Sequence, residues 1–321
     1  MNVLDDIKKL LGNDWMRFED FFRKALQNDL ELLNTVNCYL LEHRGKQLRP
    51  VLTLLTANSL SACGQSALVA AVVVEMVHTA TLLHDDVIDN ADQRRGAASV
   101  KRIWRSNIAV LTGDYWFAQA FQVMTKHEET RLLPWFNSCM VAMSEGEIWQ
   151  LDKAQKLDIT EEEYYQIIGR KTAAFLALSM ACGAIAAGVD EAAVQRMHGI
   201  GYTMGMAFQI RDDIFDYELH NQSGKPAGND IRERKITLPL LHALQQAGEK
   251  ERKEILRHIR RAAKKTHSVT KVIDFVHRRR GQEYAEKVML EYSHKAVTML
   301  QELPDTPYRT ALIELAKFMT T

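Results

Sequence analysis

The sequence has no excess of either charge and few cysteines. Its 321 residues include 41 basic and 41 acidic side chains, so no net charge attracts the chain to nucleic acid or to an anionic membrane. The four cysteines form no Cys-x-x-Cys pair and no metal-ligand spacing, which fits a reducing cytoplasm. The N-terminal stretch MNVLDDIKKLL has early acids and no long apolar run, so we expect no signal peptide.

Prolines are also few. None of the six falls within 51–133 or 135–225, and proline is excluded from helix interiors, so these long gaps permit extended helices. Strand-type alternation is missing. Apolar residues instead recur at spacings of three and four, which is typical of helices, through 18–41, 102–124, 161–185 and 283–318. We predict an all-α fold of roughly ten or more helices in a single domain over residues 1–321.

Three stretches are apolar on every side. Residues 172–189 carry no charge and just reach the length of a membrane span, but alanine and glycine dominate them, so a buried helix is the favoured interpretation and no transmembrane segment is expected. Residues 67–89 and 196–219 are predicted to be central, buried helices, because only their C-terminal parts turn polar.

Each of these two central helices ends in an aspartate cluster. Residues four apart share a helix face, so Asp85 and Asp89 point the same way, with Asp86 turned aside by about 100°. Asp212 and Asp216 repeat the arrangement. Carboxylates without histidine or cysteine nearby suit a hard divalent ion, above all Mg²⁺. A single cluster could be a solvated helix end, but two copies favour metal sites that face each other.

Basic residues accompany both clusters. Arg94 and Arg95 follow the first cluster, whereas Lys225 and Lys235 follow the second, in and after the irregular loop 220–230. The segment GKQLRP (45–50) adds Lys46 and Arg49. Singly, each would be a surface charge. As a set around metal-binding carboxylates they predict a clamp for diphosphate groups.

Two further polar residues share the faces of the clusters. His78 lies two turns before Asp85, and Gln209 lies before Asp212 and Asp216 on their face. Both are candidate binding residues. A hydrogen-bonded core histidine is the alternative for His78.

With these motifs in place, the sequence resembles the trans-isoprenyl diphosphate synthase (polyprenyl synthetase) family along nearly its whole length. LLHDDVIDNADQRRG (82–96) is similar to the first aspartate-rich motif of that family, and GMAFQIRDDIFDYE (205–218) is similar to the second. GKQLRP, the pair Lys171–Thr172 and GKPAGNDIRERKITLP (224–239) match further family blocks in the same order.

The resemblance implies helices around a central cavity, as in the isoprenoid synthase fold, three Mg²⁺ ions and a homodimer. It assigns the metals to Asp85, Asp86, Asp89, Asp212 and Asp216. The allylic diphosphate would be held by Arg94, Lys171, Thr172, Gln209, Lys225 and Lys235, and isopentenyl diphosphate by Lys46, Arg49, His78 and Arg95. Asp85, Asp89, Asp212, Lys171 and Lys235 would carry the catalysis.

The chain departs from the family pattern in two places. The first block has Arg44–Gly45 where two glycines are usual. The chain also ends in FMTT, without the basic residues frequent in relatives.

The helix before the first motif bears on product length. Its chain-length positions Val77, Ala80 and Thr81 are small, and no aromatic residue occurs in the 18 residues from Ala67 to Asp85, about 27 Å of helix. We therefore expect a long-chain product, about C30 or longer, of the kind used in quinones. The alternatives are a shorter-chain synthase, a terpene cyclase and a non-catalytic synthase subunit.

Overall fold

The fold was analysed in a computed structural model, which describes residues 3–218, 228–263 and 265–320. Over these residues the predicted all-α class is confirmed, with sixteen α-helices and one short β-hairpin. The first eight helices are α1 (Val3–Leu11), α2 (Asn13–Ala25), α3 (Glu31–Glu42), α4 (Leu48–Leu60), α5 (Gln65–Ile88), α6 (Val100–Lys126), α7 (Leu133–Lys156) and α8 (Glu161–Ile168). The other eight are α9 (Ala174–Ala186), α10 (Glu191–Phe215), α11 (Asn229–Arg232), α12 (Leu238–Gln245), α13 (Glu249–Ala262), α14 (Thr266–Arg278), α15 (Gly281–Gln301) and α16 (Pro307–Phe318).

Three short elements join the helices. Strands β1 (Gln93–Arg94) and β2 (Ala97–Ala98) pair antiparallel between α5 and α6. A 3₁₀ turn, Thr130–Leu132, precedes α7. A π-helical segment, Gly169–Ala173, joins α8 to α9 without a break.

Local sequence signals set several helix starts. Ser99 precedes α6, and its hydroxyl accepts a hydrogen bond from the backbone N–H of Arg102 at 3.2 Å. Thr160 and Glu163 form a capping box at α8, in which each side chain accepts from the backbone N–H of the other residue. Such contacts satisfy backbone N–H groups that have no partner inside the helix.

The chain divides into two compact units. The first comprises Met1–Phe136, Leu178–His198 and Leu303–Leu315, and the second comprises Asn137–Ala177, Gly199–Glu302 and Ala316–Thr321. The prediction that the whole chain forms one domain therefore stays a prediction.

Helix α5 is the centre of the first unit. It packs against α2, α4 and α6, and every residue from Ala67 to Val77 is buried. This confirms the central helix predicted over 67–89. The C-terminal part of α9 lies against α4 with no room for a side chain, because a Cβ on Gly183 would come within 2.4 Å of the Thr53 carbonyl oxygen.

The second unit has its own apolar core. Residues of α10, α12, α13, α14 and α15 form one buried cluster, which includes Ile210, Tyr217, Leu240, Ile259 and Phe275. Helix α12 packs against α8, α14 and α15, and Pro239 lies in its first turn, where the missing N–H costs nothing. The core supports the C-terminal end of α10, which carries the second aspartate motif.

The described elements differ from the sequence expectations in detail. The apolar pattern over 18–41 spans two helices, α2 and α3, and the pattern over 283–318 spans α15 and α16. Pro304 lies between the latter two, since proline cannot continue a helix. The helix expected over 196–219 runs from Glu191 to Phe215.

Among the residues that the structure describes, two helical stretches are long and apolar enough to cross a membrane, Gln65–Ile88 and Glu161–Ala186. In each, 78% of the most apolar window is buried inside the protein. The core helix of a globular protein meets the same criteria, so this finding is weak support for a membrane span.

Candidate active site

The first aspartate motif occupies the C-terminal end of α5. Asp85 lies in the last turn and is half-buried, whereas Asp89 directly follows the last helical residue and is exposed. The backbone N–H of Asp89 donates to the Asp85 carbonyl oxygen at 2.8 Å, so helical geometry reaches Asp89. The two residues are therefore one turn apart, as predicted from their spacing.

Asp86 has a different environment. Its side chain is buried, and Arg94 donates to its Oδ1 from Nε at 2.7 Å and from Nη2 at 2.6 Å. Burial raises the pKa of Asp86, and the Arg94 guanidinium opposes that shift. Asp86, Arg94 and Arg95 line the same cleft of the first unit. Asp86 thus orients a cation beside the pair predicted to bind metal.

The β-hairpin directs the adjacent residues Arg94 and Arg95 to different partners. Arg95 and Gly96 form its two-residue loop, with φ of 55° and 78°, and positive φ at both positions is typical of a type I′ turn. Arg95 lies against Gly45, because a Cβ on that glycine would come within 2.6 Å of the Arg95 Nε. The tight turn and the glycine together seat the Arg95 guanidinium on the GKQLRP segment.

Three of the predicted isopentenyl-diphosphate residues come together in the first unit. Arg49 Nη1 lies 2.9 Å from His78 Nε2, and arginine can only donate, so this histidine nitrogen accepts. Burial, then Arg49 and Arg95, lower the pKa of His78 well below its ordinary value. His78 is therefore a neutral imidazole between two arginines. Lys46 is exposed and follows Gly45 directly.

The second motif, in the second unit, also combines an accessible aspartate with a buried one. Asp212 is exposed and Asp213 is buried. The Tyr164 hydroxyl donates to Asp213 Oδ2 at 2.6 Å, and Gln209 Nε2 donates to Oδ1 at 2.7 Å. Burial raises the pKa of Asp213 to about 7, against the effect of these two hydrogen bonds. Tyr164 was not expected from the sequence.

Gln209 connects Asp213 to another predicted binding residue. The Thr172 hydroxyl donates to Gln209 Oε1 at 2.6 Å, so Thr172, Gln209 and Asp213 form a continuous chain of hydrogen bonds. The sequence predicted Thr172 and Gln209 as neighbours of the same diphosphate. The structure brings these two side chains together.

Lys171 lies on the π-helical segment. Its Nζ pairs with the Glu147 carboxylate and donates to Gln150 Oε1 at 2.9 Å. The segment is packed closely, since a Cβ on Gly205 would come within 2.5 Å of Ala173 Cα. Single π turns within helices are frequent at functional sites. Neither this turn nor the two partners on α7 were predicted from the sequence.

Asp216 follows the end of α10 and binds the next helix. Its carboxylate accepts from the backbone N–H groups of Asn229 at 2.8 Å and Asp230 at 3.0 Å, so it caps α11. Burial, followed by its neighbour Asp213, raises the pKa of Asp230 well above its ordinary value. Asp230 is a further carboxylate of this cluster that the sequence analysis missed, although it stands in the quoted GKPAGND block.

The two remaining predicted cations are Lys235 and Lys225. Lys235 Nζ donates to Glu233 Oε2 at 2.5 Å, and its backbone N–H donates to the Asp230 carbonyl oxygen at 2.8 Å. Lys225 lies outside the described residues. Lys235 is therefore placed beside Asp230, and the role of Lys225 stays a prediction.

The donor chemistry fits Mg²⁺. Within residues 3–218, 228–263 and 265–320, no group of three or more His, Cys, Asp or Glu side chains could hold a metal ion by itself. Mg²⁺ usually takes only one or two carboxylates and keeps waters and phosphate oxygens as its other ligands. The Asp85–Asp89 pair, one turn apart, is a donor set of that kind. The first motif belongs to one unit and the second to the other, and their apposition stays a prediction.

The chain is similar to known proteins along most of its length. The model of the family described as polyprenyl synthetase matches residues 30–276. The chain is 34% identical over 314 residues to the octaprenyl diphosphate synthase of Escherichia coli (strain K12), covering 98% of this chain and 97% of the relative.

Two solved structures are similar along nearly the whole chain. A decaprenyl diphosphate synthase from Rhodobacter capsulatus has a TM-score of 0.91 at 33% identity, covering 99% of this chain and 98% of its own. A polyprenyl synthase from Caulobacter crescentus CB15, complexed with calcium and isoprenyl diphosphate, has a TM-score of 0.91 at 32% identity, covering 99% and 97%. These likenesses confirm the predicted fold type.

The raised pKa of Asp213 predicts a pH dependence of stability in the metal-free protein. The folded state keeps a proton on this carboxyl up to about pH 7, whereas the unfolded state loses it near the ordinary value of 3.8. Stability due to Asp213 therefore falls as the pH rises from about 4 to 7. We expect the free energy of unfolding of the wild type, minus that of Asp213→Asn, to decline over this range in urea titrations with a chelator present.

A second variant tests the cause. Tyr164→Phe removes a hydrogen bond that favours the charged carboxylate, so the decline should extend to higher pH. A wild-type-minus-variant difference that stays level from pH 4 to pH 7 would contradict the assignment.

Proposed function

Because the chain belongs to the polyprenyl synthetase family, we propose that it is an Mg²⁺-dependent trans-prenyltransferase. It condenses isopentenyl diphosphate with an allylic diphosphate, head to tail, and releases an all-trans polyprenyl diphosphate. One observation carries this proposal: two helices each end in an aspartate motif, and each motif has its own group of cationic or hydrogen-bonding side chains beside it.

The carboxylates of both motifs would hold the metal ions. Asp85 and Asp89 would bind two Mg²⁺ ions and Asp212 a third, with Asp86 and Asp216 in supporting positions. When bound, Mg²⁺ neutralises negative charge on the leaving diphosphate. Buried Asp86 acts through Arg94, and Asp216 acts by fixing the start of α11. The supporting acids thereby position cations and backbone around the metal-binding ones.

The side chains of the second unit would hold the allylic diphosphate. Lys171 and Lys235 supply positive charge, and Thr172 with Gln209 supplies hydrogen bonds, together with Arg94 and Lys225 from elsewhere in the chain. Both described lysines pair with glutamates, Glu147 and Glu233, which keep the ammonium groups in place. Positive charge placed in advance stabilises the negative charge that develops as the allylic C–O bond ionises.

The basic group of the first unit would hold isopentenyl diphosphate. Arg49 and Arg95 can each bind phosphate oxygens with two parallel N–H groups, and Lys46 adds a point charge. His78 accepts from Arg49 at Nε2, so the neutral ring carries its proton on Nδ1 and holds the Arg49 guanidinium within this basic group. The double bond of this substrate attacks the allylic cation, and the departing diphosphate takes the proton then lost.

Water would quench the cation, so the reaction needs an apolar surround. The buried run from Ala67 to Val77 on α5 supplies such a surface next to the first motif. A terpene cyclase would also need it, but cyclases usually replace the second aspartate cluster and lack the GKxxRP block. A non-catalytic subunit typically loses aspartates, and Asp85, Asp86, Asp89, Asp212, Asp213 and Asp216 are all present.

Replacing Asp85 or Asp212, two of the proposed metal-binding carboxylates, tests the proposal. In Asp85→Ala or Asp212→Ala, turnover should fall by about a hundred- to a thousandfold, because charge on the leaving group is no longer balanced. The measurement is incorporation of labelled isopentenyl diphosphate with each allylic primer in the presence of Mg²⁺. Asp20→Ala, at an exposed aspartate of α2, is the matched control. Undiminished turnover in a folded Asp85→Ala protein would contradict the metal-binding role.

Helix α5 supports a long product. Val77 and Ala80 are fully buried, whereas Thr81 keeps partial exposure one turn before Asp85. The Thr81 hydroxyl donates to the His78 carbonyl oxygen at 2.8 Å, so its polar group is satisfied within the helix. A small residue at this position leaves room for the growing chain. We propose a product of about C30 or longer, with a C15 or C20 product as the alternative.

A bulky residue at position 81 should shorten the product. Thr81→Phe places a ring one turn below Asp85, so elongation should stop earlier by several isoprene units. Chromatography of the dephosphorylated product measures the change. Thr125→Phe, at an exposed threonine of α6, is the matched control. A product spectrum unchanged by Thr81→Phe would exclude this path for the chain.

Exposed apolar side chains on two helices support a homodimer. Val110, Leu111 and Phe121 on α6 are 38%, 62% and 43% exposed, and Val141 and Ile148 on α7 are 51% and 69% exposed. Val110 and Phe121 are eleven residues apart and Val141 and Ile148 seven apart, so each pair shares a face of its helix. Exposed apolar faces mark interaction surfaces, and a second copy of this chain is the occupant we propose.

A charge on these faces should separate the subunits. Leu111→Glu or Ile148→Glu would bury a carboxylate in the interface, so the molecular mass from light scattering should fall from dimer to monomer. Leu30→Glu is the control, because Leu30 is 64% exposed and lies before α3, away from α6 and α7 in sequence. A wild-type protein that is itself monomeric would contradict the proposal.

We also propose that the enzyme acts in the cytoplasm. Cys38, Cys63, Cys139 and Cys182 are all free thiols, which suits a reducing compartment.

A further inference from the structure

Glu75 is a buried acid that the mechanism above does not use. It lies on α5 one turn before His78 and is 1% exposed. Its Oε2 makes no hydrogen bond to any residue in the part of the chain that the structure describes. A buried carboxylate is costly unless opposite charges compensate it, so its surroundings need an explanation.

Four cations from four different elements act electrostatically on Glu75. In decreasing order of their effect they are Arg95 of the hairpin, Arg49 of α4, Arg44 of the α3–α4 segment and Lys8 of α1. Burial raises the pKa of Glu75, and all four cations oppose that shift. The first two belong to the group that would bind isopentenyl diphosphate.

The interaction is mutual. Burial lowers the pKa of Arg95, and Glu75 is the largest influence that keeps this guanidinium charged. Arg95 also has a left-handed backbone conformation, with φ of 55°, so its position is not one that the local chain prefers. The opposite charge of Glu75 counteracts the effect of burial on the Arg95 guanidinium.

Arg44 and Lys8, the outer pair of cations, each contact a residue of α2. Arg44 Nη1 donates to Glu19 Oε1 of α2 at 3.1 Å, and the Lys8 ammonium lies over the Trp15 ring at 4.5 Å. Glu75 is therefore influenced both by cations that contact α2 and by cations of the group that would bind isopentenyl diphosphate. Arg44 stands where the resembled family usually has glycine, so this outer charge is a feature of the present chain.

We propose that Glu75 is the positioning residue of the isopentenyl-diphosphate subsite: its carboxylate holds Arg95 and Arg49, and through Arg49 the imidazole of His78, in the arrangement that receives the diphosphate. Glu75 itself does not touch substrate. The inference rests on the proposed function, since it names a residue that supports the second substrate of the same reaction.

Glu75→Gln is the test, because the amide keeps the shape and removes the charge. The KM for isopentenyl diphosphate should rise about ten- to a hundredfold, as is typical when a group supporting a binding residue is lost. At saturating isopentenyl diphosphate, kcat should stay within about threefold of the wild type, and the KM for the allylic diphosphate should not change. Calorimetric titration with isopentenyl diphosphate alone should show the same loss of affinity.

Glu129→Gln is the matched control. Glu129 is also a buried glutamate of the first unit, at 8% exposed, but it pairs with Ser66 and Arg131 outside the basic group. Its substitution should leave the KM for isopentenyl diphosphate unchanged. A merely structural role of Glu75 would lower the melting temperature and leave that KM at the wild-type value, which would overturn the proposal.

Glu75→Asp decides the question if the glutamine variant does not fold. Aspartate restores the charge one methylene short of the cations, so its KM should lie between those of the wild type and the glutamine variant. A wild-type KM in folded Glu75→Asp, with Glu75→Gln unfolded, would overturn the inference. Wild-type protein that neither binds isopentenyl diphosphate nor elongates any primer would instead refute the proposed function.

Discussion

The carboxylates of Glu75, Asp86 and Asp213 lie out of water, and the free energy of burying a charge is very large unless a partner compensates it. Different partners compensate the charge of each of these three carboxylates. Asp86 pairs with Arg94, Asp213 accepts from Tyr164 and Gln209, and four cations act electrostatically on Glu75. The compensating groups are themselves the residues expected at the two diphosphates, or lie next to them. Burial of these acids therefore fixes the geometry around them.

Both motifs share this division between neighbouring aspartates. One carboxylate of each pair stays accessible, at the proposed metal ligands Asp85 and Asp212, and the next one along the chain is buried and orients other side chains. Consecutive residues on a helix point about 100° apart, which makes the division possible. An adjacent pair can therefore serve as a ligand and as its support.

The positions of the cations depend on backbone features that no helical pattern indicates. Arg95 reaches the GKQLRP segment because a tight hairpin turn reverses the chain and Gly45 leaves space. Lys171 lies on a π turn. Asp230 joins the second cluster through the short helix that Asp216 caps. In each case contacts with distant residues outweigh the local preference of the chain, so the sequence pattern names the residue but not its partner.

The sequence by itself determined the all-α class, the two central helices and the aspartate motifs with their one-turn spacing, whereas the grouping of Thr172 with Gln209 came from the resemblance to the family. Helix periodicity and residue chemistry are local properties, so they can be read along the chain. Only the tertiary structure decided which acids are buried and which cations compensate them. Burial and electrostatic pairing depend on residues far apart in the chain, such as Glu75 and Arg95, that packing alone brings together.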